Sequence, residues 1–415
     1  MKKSNKIIAL GLMSGTSADG ISISAIEILP DEKKLKVFYY KTYPYDAGLR
    51  KRILNAQNLK TRGLSELNFE LGRLWAGYVK KFCAGFKIPL ENIDVIGSHG
   101  QTVCHCPNAK PPNTLQIGEA SFIAESAGVP VACDFRPRDM SAGGQGAPLI
   151  PFMDEYLFGS GAPVALQNIG GVGNISFVGR GVKTFGFDTG PGNSLMDAAV
   201  YILTRGGKNY DEYGRLAAGG KIDYTKILKL LKLPFFAMKP PKSLDRSEFA
   251  SVFVKRHFSS LLKQKRGKDL LATLNYFTAV TIALAFQRHA PAGTGELIVS
   301  GGGVLNQTLM NNLGRLLAPV NSVRDTPVKI LVKNAENIRI TKAQTKDSLQ
   351  GTVAQARPVS NGVKVVSISE YGIHPLAKES ACFALLAYLC MEGKINNCSQ
   401  VTGAAGPRVL GKLIK

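Results

Sequence analysis

A chain of 415 residues, 45% of them hydrophobic, reads as a soluble globular protein with room for two domains, each with its own core. Its net charge of +22, from 52 Lys and Arg against 30 Asp and Glu, is spread over short runs such as KKSNK, DEKKLK and KQKRGK, so no nucleic-acid module is recognisable. That leaves a solvated lysine-rich surface or attraction for nucleotides and acidic sugars. Seven scattered cysteines, an odd number, disfavour a disulfide framework and place the chain in the cytosol with reduced thiols.

The opening MKKSNKIIALGLM imitates a signal peptide, but its apolar stretch is short and runs straight into a glycine turn, so it reads as a first strand. No run of about 18 uninterrupted apolar residues follows, and no membrane-spanning segment is expected. Residues 7–29 read as strand, glycine turn, strand: a hairpin, with SGTSADG at its tip. From LRKRILNAQ through LSELNFELGRLWAGYVKKFCAGF the apolar residues recur at helical spacing, with Trp75 as helix core, and IDVIGSHGQTV reads as a buried strand. The triplet Cys104, His105, Cys106, near His99, lacks the spacing of a zinc site, and no metal site is expected from it.

The glycine-rich connector in VPVACDFRPRDMSAGGQGAPLIP marks the domain boundary, giving an N-terminal lobe over 1–143 and a second lobe over 144–396. The second lobe opens with VALQNIGGVGNISFV, again strand, glycine turn, strand, which suggests a duplicated architecture. Then come FGFDTGPGNSLMDAA, a long apolar helix in LLATLNYFTAVTIALAFQRHA, strand and triple glycine in ELIVSGGGVLN, and the helix in HPLAKESACFALLAYLCMEG. Residues 320–362 are basic, polar and poor in aromatics, an inserted loop with little core of its own.

Backbone amides in tight glycine turns converge on anions, and Thr and Ser hydroxyls add donors, so two such hairpins facing one another would clamp a polyphosphate. A Walker P-loop and a Rossmann fingerprint are both excluded, because GTSADG leads into a strand and lacks the Gly-Lys-Ser/Thr ending. SGGGVLN precedes a helix, where dipole and free amides favour phosphate or nucleoside. Asp188, ending an apolar strand, is either a general base or a carboxylate that only bonds amides of the following turn. An aspartic protease would need a second Asp-Thr/Ser-Gly, and a serine hydrolase using Ser14 and His99 would need a GxSxG elbow; neither is present.

GLMSGTSADGIS, IGSHGQTVCHCP, TLQIGE, DFRPRDMSAGGQGAPLIP, QNIGGVGNIS, FDTGPGNSLMD, PPKSLDR, SGGGVLNQTLM, ESACFALLAYL and TGAAGPRVLG stand in the order of anhydro-N-acetylmuramic acid kinases, which the chain resembles outside 320–362. The resemblance implies a two-lobed actin-like ATPase (ribonuclease H-like) α/β fold, mixed sheets flanked by helices, with ATP in the interlobe cleft and 397–415 completing the N-terminal lobe. It implies ATP- and Mg²⁺-dependent opening of 1,6-anhydro-N-acetylmuramic acid to its 6-phosphate in cytoplasmic peptidoglycan recycling, by a homodimer without nucleic-acid or membrane partners. Asp188 matches the catalytic aspartate. The ATP segment matches Gly15, Thr16, Ser17, Ala18, Asp19, Gly20, Ile21 and Ser22, the second hairpin Gly170 and Gly171, and the nucleoside turn Gly301, Gly302 and Gly303. Glu379 matches a sugar-contacting carboxylate, while Arg136 and Arg138 are either partners of the lactyl carboxylate or interlobe salt bridges. The family's usual acid at the end of its first segment is here Ser22, which removes a carboxylate that would help order Mg²⁺. Two alternatives stay open: a kinase for another anhydro sugar such as levoglucosan, and a catalytically weakened nucleotide-binding homologue.

Overall fold

The computed structural model describes residues 6–244, 249–318 and 362–415. Apart from Gly362 the 320–362 insert lies outside the described residues, as do Asp245 and Arg246 of PPKSLDR. The chain divides into two compact units, Met1–Leu157 with Ser369–Lys415, and Phe158–Ile368.

In the first unit, β1 (Ile7–Ser14), β2 (Gly20–Leu29) and β3 (Lys34–Pro44) form an antiparallel meander. On the other side of β1 lies β4 (Val95–Cys106), parallel to it; β5 (Asn113–Ile117) folds back on β4 as a hairpin, and β6 (Val131–Cys133) runs parallel to β4. The C-terminal strand Lys412–Ile414 closes the edge beyond β6. The second unit repeats the order: β7 (Val164–Ile169), β8 (Val172–Val178) and β9 (Phe185–Pro191) meander, then β10 (Glu296–Ser300) and β11 (Lys364–Ser367) add in parallel beyond β7. Both glycine hairpins therefore sit at the first turn of equivalent meanders in mixed sheets flanked by helices, so the strand order repeats as the two similar hairpins suggest.

A buried helix packs within each unit. Gly267–His289 is enclosed all round, with every residue from Leu270 to Phe286 buried. It is long and apolar enough, by length and composition, to cross a membrane, but 89% of its apolar window is buried. Two of its buried polar residues bond within the same unit: Asn275 donates to Asn306 Oδ1 at 3.0 Å and Thr278 to the Gly192 carbonyl at 3.2 Å. In the first unit the helix Lys378–Met391 lies on β1 and β4, where Gly11 and Gly97 are paired in register. A Cβ on Gly11 would stand 1.8 Å from the Ser380 carbonyl oxygen, and one on Gly97 2.1 Å from that of Phe383. The helix backbone rests directly on the sheet because both positions lack side chains.

The same helix shifts the expected division of the chain. It follows the second unit's last strand in sequence yet packs on the first unit's sheet, so 369–396 belong with the first unit. The connector also stays there. The buried Asp139 carboxylate accepts from Gly146 N at 2.8 Å, Thr402 Oγ1 at 2.8 Å and Asn397 Nδ2 at 3.2 Å, which pins 139–146 to the C-terminal segment. The break falls at Leu157, after the helix Ile150–Phe158 has begun, instead of at residue 143.

Candidate active site

The turn between β1 and β2 is held from beneath. Ser14 Oγ donates to Gln101 Oε1 at 2.6 Å and meets Tyr45 Oη at 2.9 Å, while Trp75 Nε1 donates to the same Tyr45 oxygen at 2.9 Å. Ser14 is thereby a buried anchor. Above it Gly15, Thr16, Ser17 and Asp19 keep solvent-accessible surface, with Asp19 ion-paired to Arg50 at 3.1 Å. The side chains of Ala18 and Ile21 lie in the core, and Gly20 backs onto the Tyr43 carbonyl, so these three offer a ligand only backbone. Ser22 lies on β2, beyond the turn, with its hydroxyl against Thr42 Oγ1 at 2.9 Å and Tyr40 Oη at 3.2 Å.

In the second unit the Gly170 and Gly171 carbonyls accept from the amides of Gly192, Asn193 and Ser194, fixing the β7–β8 turn to the start of the helix Ser194–Leu203. The triple-glycine turn packs on the end of β7. A Cβ on Gly301 would meet Asn168 Oδ1 and the Ile169 carbonyl at 2.7 Å, and one on Gly303 would overlap Ile169 at 2.3 Å. These two glycines are demanded by packing. Gly15 and Gly170 are different, since nothing comes closer than 3.9 Å and 3.7 Å to a Cβ there. A short 3-10 turn, Gly302–Leu305, begins within the triple glycine, and Asn306 caps the helix Gln307–Leu316 by accepting from Leu309 N at 3.0 Å.

Asp188 does not bond the turn that follows it. Its backbone N–H donates to the Lys242 carbonyl at 3.0 Å and its Oδ2 accepts from Leu244 N at 2.8 Å, so the PPKSL segment brackets it. Burial pushes its carboxyl up to about 6, against the pull of that amide and of Lys242. Lys242 donates to the Phe235 carbonyl at 3.2 Å, and its ammonium lies 4.4 Å from the Phe235 ring centre. Burial and Arg288 bring it down to about 8. Lys242 is a functional candidate that spacing and composition alone do not single out, although it lies within PPKSLDR, one of the segments that carry the family resemblance.

The structure gathers a second polar group in the first unit. Arg136, on the helix Phe135–Ser141, donates through Nε to His99 Nε2 at 3.1 Å and through Nη1 to the Gly146 carbonyl at 3.0 Å. Glu379 is near enough to support its charge, and His105 on β4 is in turn lowered by burial and by Arg136. Beside them His105 Nδ1 meets Thr114 Oγ1 at 3.1 Å, and Gln116 donates to Thr114 Oγ1 at 2.8 Å. Glu379 keeps solvent-accessible surface, while desolvation raises its carboxyl against the opposing pull of Lys378 and Arg136. Arg138 is exposed. Among the described residues no group of three or more His, Cys, Asp or Glu could hold a metal ion.

The model of the anhydro-N-acetylmuramic acid kinase family matches residues 7–343 and 347–415. The chain belongs to that family. It is accordingly a kinase, a phosphotransferase with an alcohol group as acceptor, and the family supports its use of ATP and of a small-molecule sugar. An anhydro-N-acetylmuramic acid kinase of Caldanaerobacter subterraneus subsp. tengcongensis is 32% identical over 98% of this chain and 96% of its own. One of Xanthomonas campestris pv. campestris is 35% identical over 97% and 96%. Among solved structures, the activator of the 2-hydroxyisocaproyl-CoA dehydratase from Clostridium difficile with bound ADPNP is similar at TM-score 0.42 and 10% identity, covering 92% of this chain and 94% of that one. Membership accounts for the two-lobed α/β fold with duplicated mixed sheets.

Proposed function

We propose that this kinase uses ATP and water to open the 1,6-anhydro bridge of 1,6-anhydro-N-acetylmuramic acid, releasing N-acetylmuramic acid 6-phosphate and ADP. Family membership supports the reaction, and the observation that carries the base assignment is Asp188, bracketed by PPKSL with a carboxyl tuned to about 6. A base in that range is ionised at neutral pH yet basic enough to accept a proton from water. Asp188 takes that proton as the water oxygen bonds the anomeric carbon. The bond from that carbon to O6 breaks, and O6 takes the γ-phosphoryl group while ADP leaves.

Gly15 and Gly170, whose missing side chains no packing contact requires, fit close approach of a phosphate backbone, with the Thr16 and Ser17 hydroxyls as added donors. Gly171 and Gly301–Gly303 line the second turn system, and Asp19, Gly20, Ile21 and Ser22 continue the first. Mg²⁺ bound with ATP would spread the phosphoryl charge; such ions are held chiefly by phosphates and water, which suits a chain with few carboxylates at its glycine turns. Arg136 recognises the lactyl carboxylate and Glu379 a sugar donor group. The protein acts in the cytoplasm as a homodimer, a placement supported by seven free thiols.

The test is incubation with ATP, Mg²⁺ and the anhydro sugar in ¹⁸O-water. The proposal expects ADP, a 6-phosphosugar and ¹⁸O at the anomeric hydroxyl. Transfer to levoglucosan in place of the muramic sugar would overturn the substrate, and label-free product would overturn the role of Asp188. Light scattering of the purified protein decides between monomer and dimer.

A further inference from the structure

The His99 side chain is buried, and its two nitrogens have fixed and different duties. Nδ1 lies 2.8 Å from the Gly100 carbonyl, which can only accept, so Nδ1 carries the proton. Nε2 then has a free lone pair, and Arg136 Nε–H donates to it at 3.1 Å. The ring is wedged against Phe383 with centroids 4.6 Å apart, and Phe383 rests in turn on Phe135 at 5.5 Å, the residue that begins the arginine's helix. Arg136's other hydrogen bond also goes to a neutral acceptor, the Gly146 carbonyl.

This is an unusual way to hold an arginine. A carboxylate at position 99 would hold the guanidinium as firmly but would cancel its charge before any anion arrived. Two neutral acceptors orient the fork, and the nearby Glu379 carboxylate supports the charge without taking a hydrogen bond from it. Of the five N–H donors of a guanidinium, two are used; the other three have no hydrogen-bond partner among the described residues. We propose that His99 is a positioning residue: a neutral, single-tautomer imidazole that aims Arg136's remaining donors at the carboxylate of the acidic sugar. The inference rests on the reading of Arg136 as the carboxylate partner. Burial and the adjacent guanidinium bring His99 down to about 3, so it stays neutral at every working pH.

The experiment measures KM and kcat on two sugars, 1,6-anhydro-N-acetylmuramic acid and 1,6-anhydro-N-acetylglucosamine, which lacks the lactyl carboxylate. His99→Ala should raise KM for the acidic sugar at least about tenfold, the scale of one charge-assisted hydrogen bond, and leave KM for the neutral sugar and both kcat values within twofold. His99→Gln, whose amide can both donate to Gly100 and accept from Arg136, should recover most of the loss. Equal changes on both sugars, or no change on either, overturn the proposal. A readout independent of turnover accompanies it: ¹⁵N imidazole shifts of the full chain should show the Nδ1-protonated neutral form from pH 5 to 8, and Arg136→Gln should let His99 titrate at higher pH. A wild-type His99 that titrates near the ordinary histidine value, about 6.5, overturns the positioning role even if the protein phosphorylates neither sugar, an outcome that would strike the proposed function separately.

Discussion

The two units build the same sheet order and set different chemical groups on it. In the first, the turn after β1 carries hydroxyls, and beside β4 and β5 stand Arg136, the hydrogen-bonding side chains of His99, His105 and Thr114, and the Glu379 carboxylate. In the second, the turn after β7 is bare glycine, and the meander's third strand carries at its middle, not at its end, a carboxylate whose proton affinity is raised by burial. A duplicated frame fixes where loops emerge; the residues set on its strands and turns make one unit suited to holding charge and the other to accepting a proton.

The sharpest way to break this division is at Asp188. Asp188→Asn keeps an oxygen for Leu244 N but removes the base, and kcat should fall roughly 10²–10⁴-fold while nucleotide binding survives. Stability should move the other way. The folded pKa of about 6 lies above the unfolded value, so between the two the folded state holds a proton the unfolded state has lost, and stability declines as pH rises through that window. The asparagine variant escapes that decline, and thermal melts at pH 7.5 should place it on the order of 1 kcal/mol above wild type. An unaltered kcat would remove Asp188 from the chemistry.

A second contrast lies in the cores. The first unit seats a helix backbone directly on the Gly11–Gly97 pair, whereas the equivalent middle strand of the second unit carries Ala165 among larger apolar side chains. Gly11→Ala forces a methyl into a carbonyl 1.8 Å away and should cost about 3 kcal/mol in denaturant titration. Ala165→Gly, which only removes a methyl and loosens a strand, should cost about 1 kcal/mol. Equal losses would show that the two helix–sheet contacts are equally tight.

Much of this contrast was legible in sequence, and the rest was hidden for identifiable reasons. Both hairpins follow from glycine turns that lead into alternating strands, and Trp75 follows from helical spacing. Glu379 reads from sequence as a helix-surface charge and is singled out only by the family resemblance, because Lys378 beside it on the same helix gives no sign of Arg136, which comes from a distant stretch of chain. The helix that carries it falls in the expected second lobe over 144–396 but packs with the first unit, since local periodicity reports that a segment is a helix but not which sheet it crosses to reach. His99 was visible only as a possible ligand or triad member; its bond to an arginine 37 residues away needed the fold. Lys242 needed it too, as its link to Asp188 runs through backbone atoms that no side-chain pattern encodes.

That link gives a smaller test. Lys242's ammonium is one of the influences that hold Asp188 below where burial alone would put it. Lys242→Met, which keeps the stem against Phe235, should move the acid limb of the kcat/KM profile to higher pH by a fraction of a unit, with the plateau rate changed only a few-fold. An unshifted limb would mean that the limb reports a group other than Asp188.

The smallest effect is expected at Ser22, the β2 position where the resemblance implies an acid and this chain has a hydroxyl. Its hydroxyl already meets those of Thr42 and Tyr40, and Tyr40 Oη and Thr42 Oγ1 are 2.8 Å apart, so a carboxylate at position 22 would find two donors waiting. Ser22→Asp should therefore fold normally, and any gain should appear in the metal dependence instead of in stability. The expected outcome is a few-fold lower Mg²⁺ concentration for half-maximal rate at saturating ATP, with kcat at saturating metal unchanged. If the Mg²⁺ curve does not move, the neighbouring hydroxyls and the phosphates suffice to order the ion's waters, and the first unit's turn needs no acid of its own.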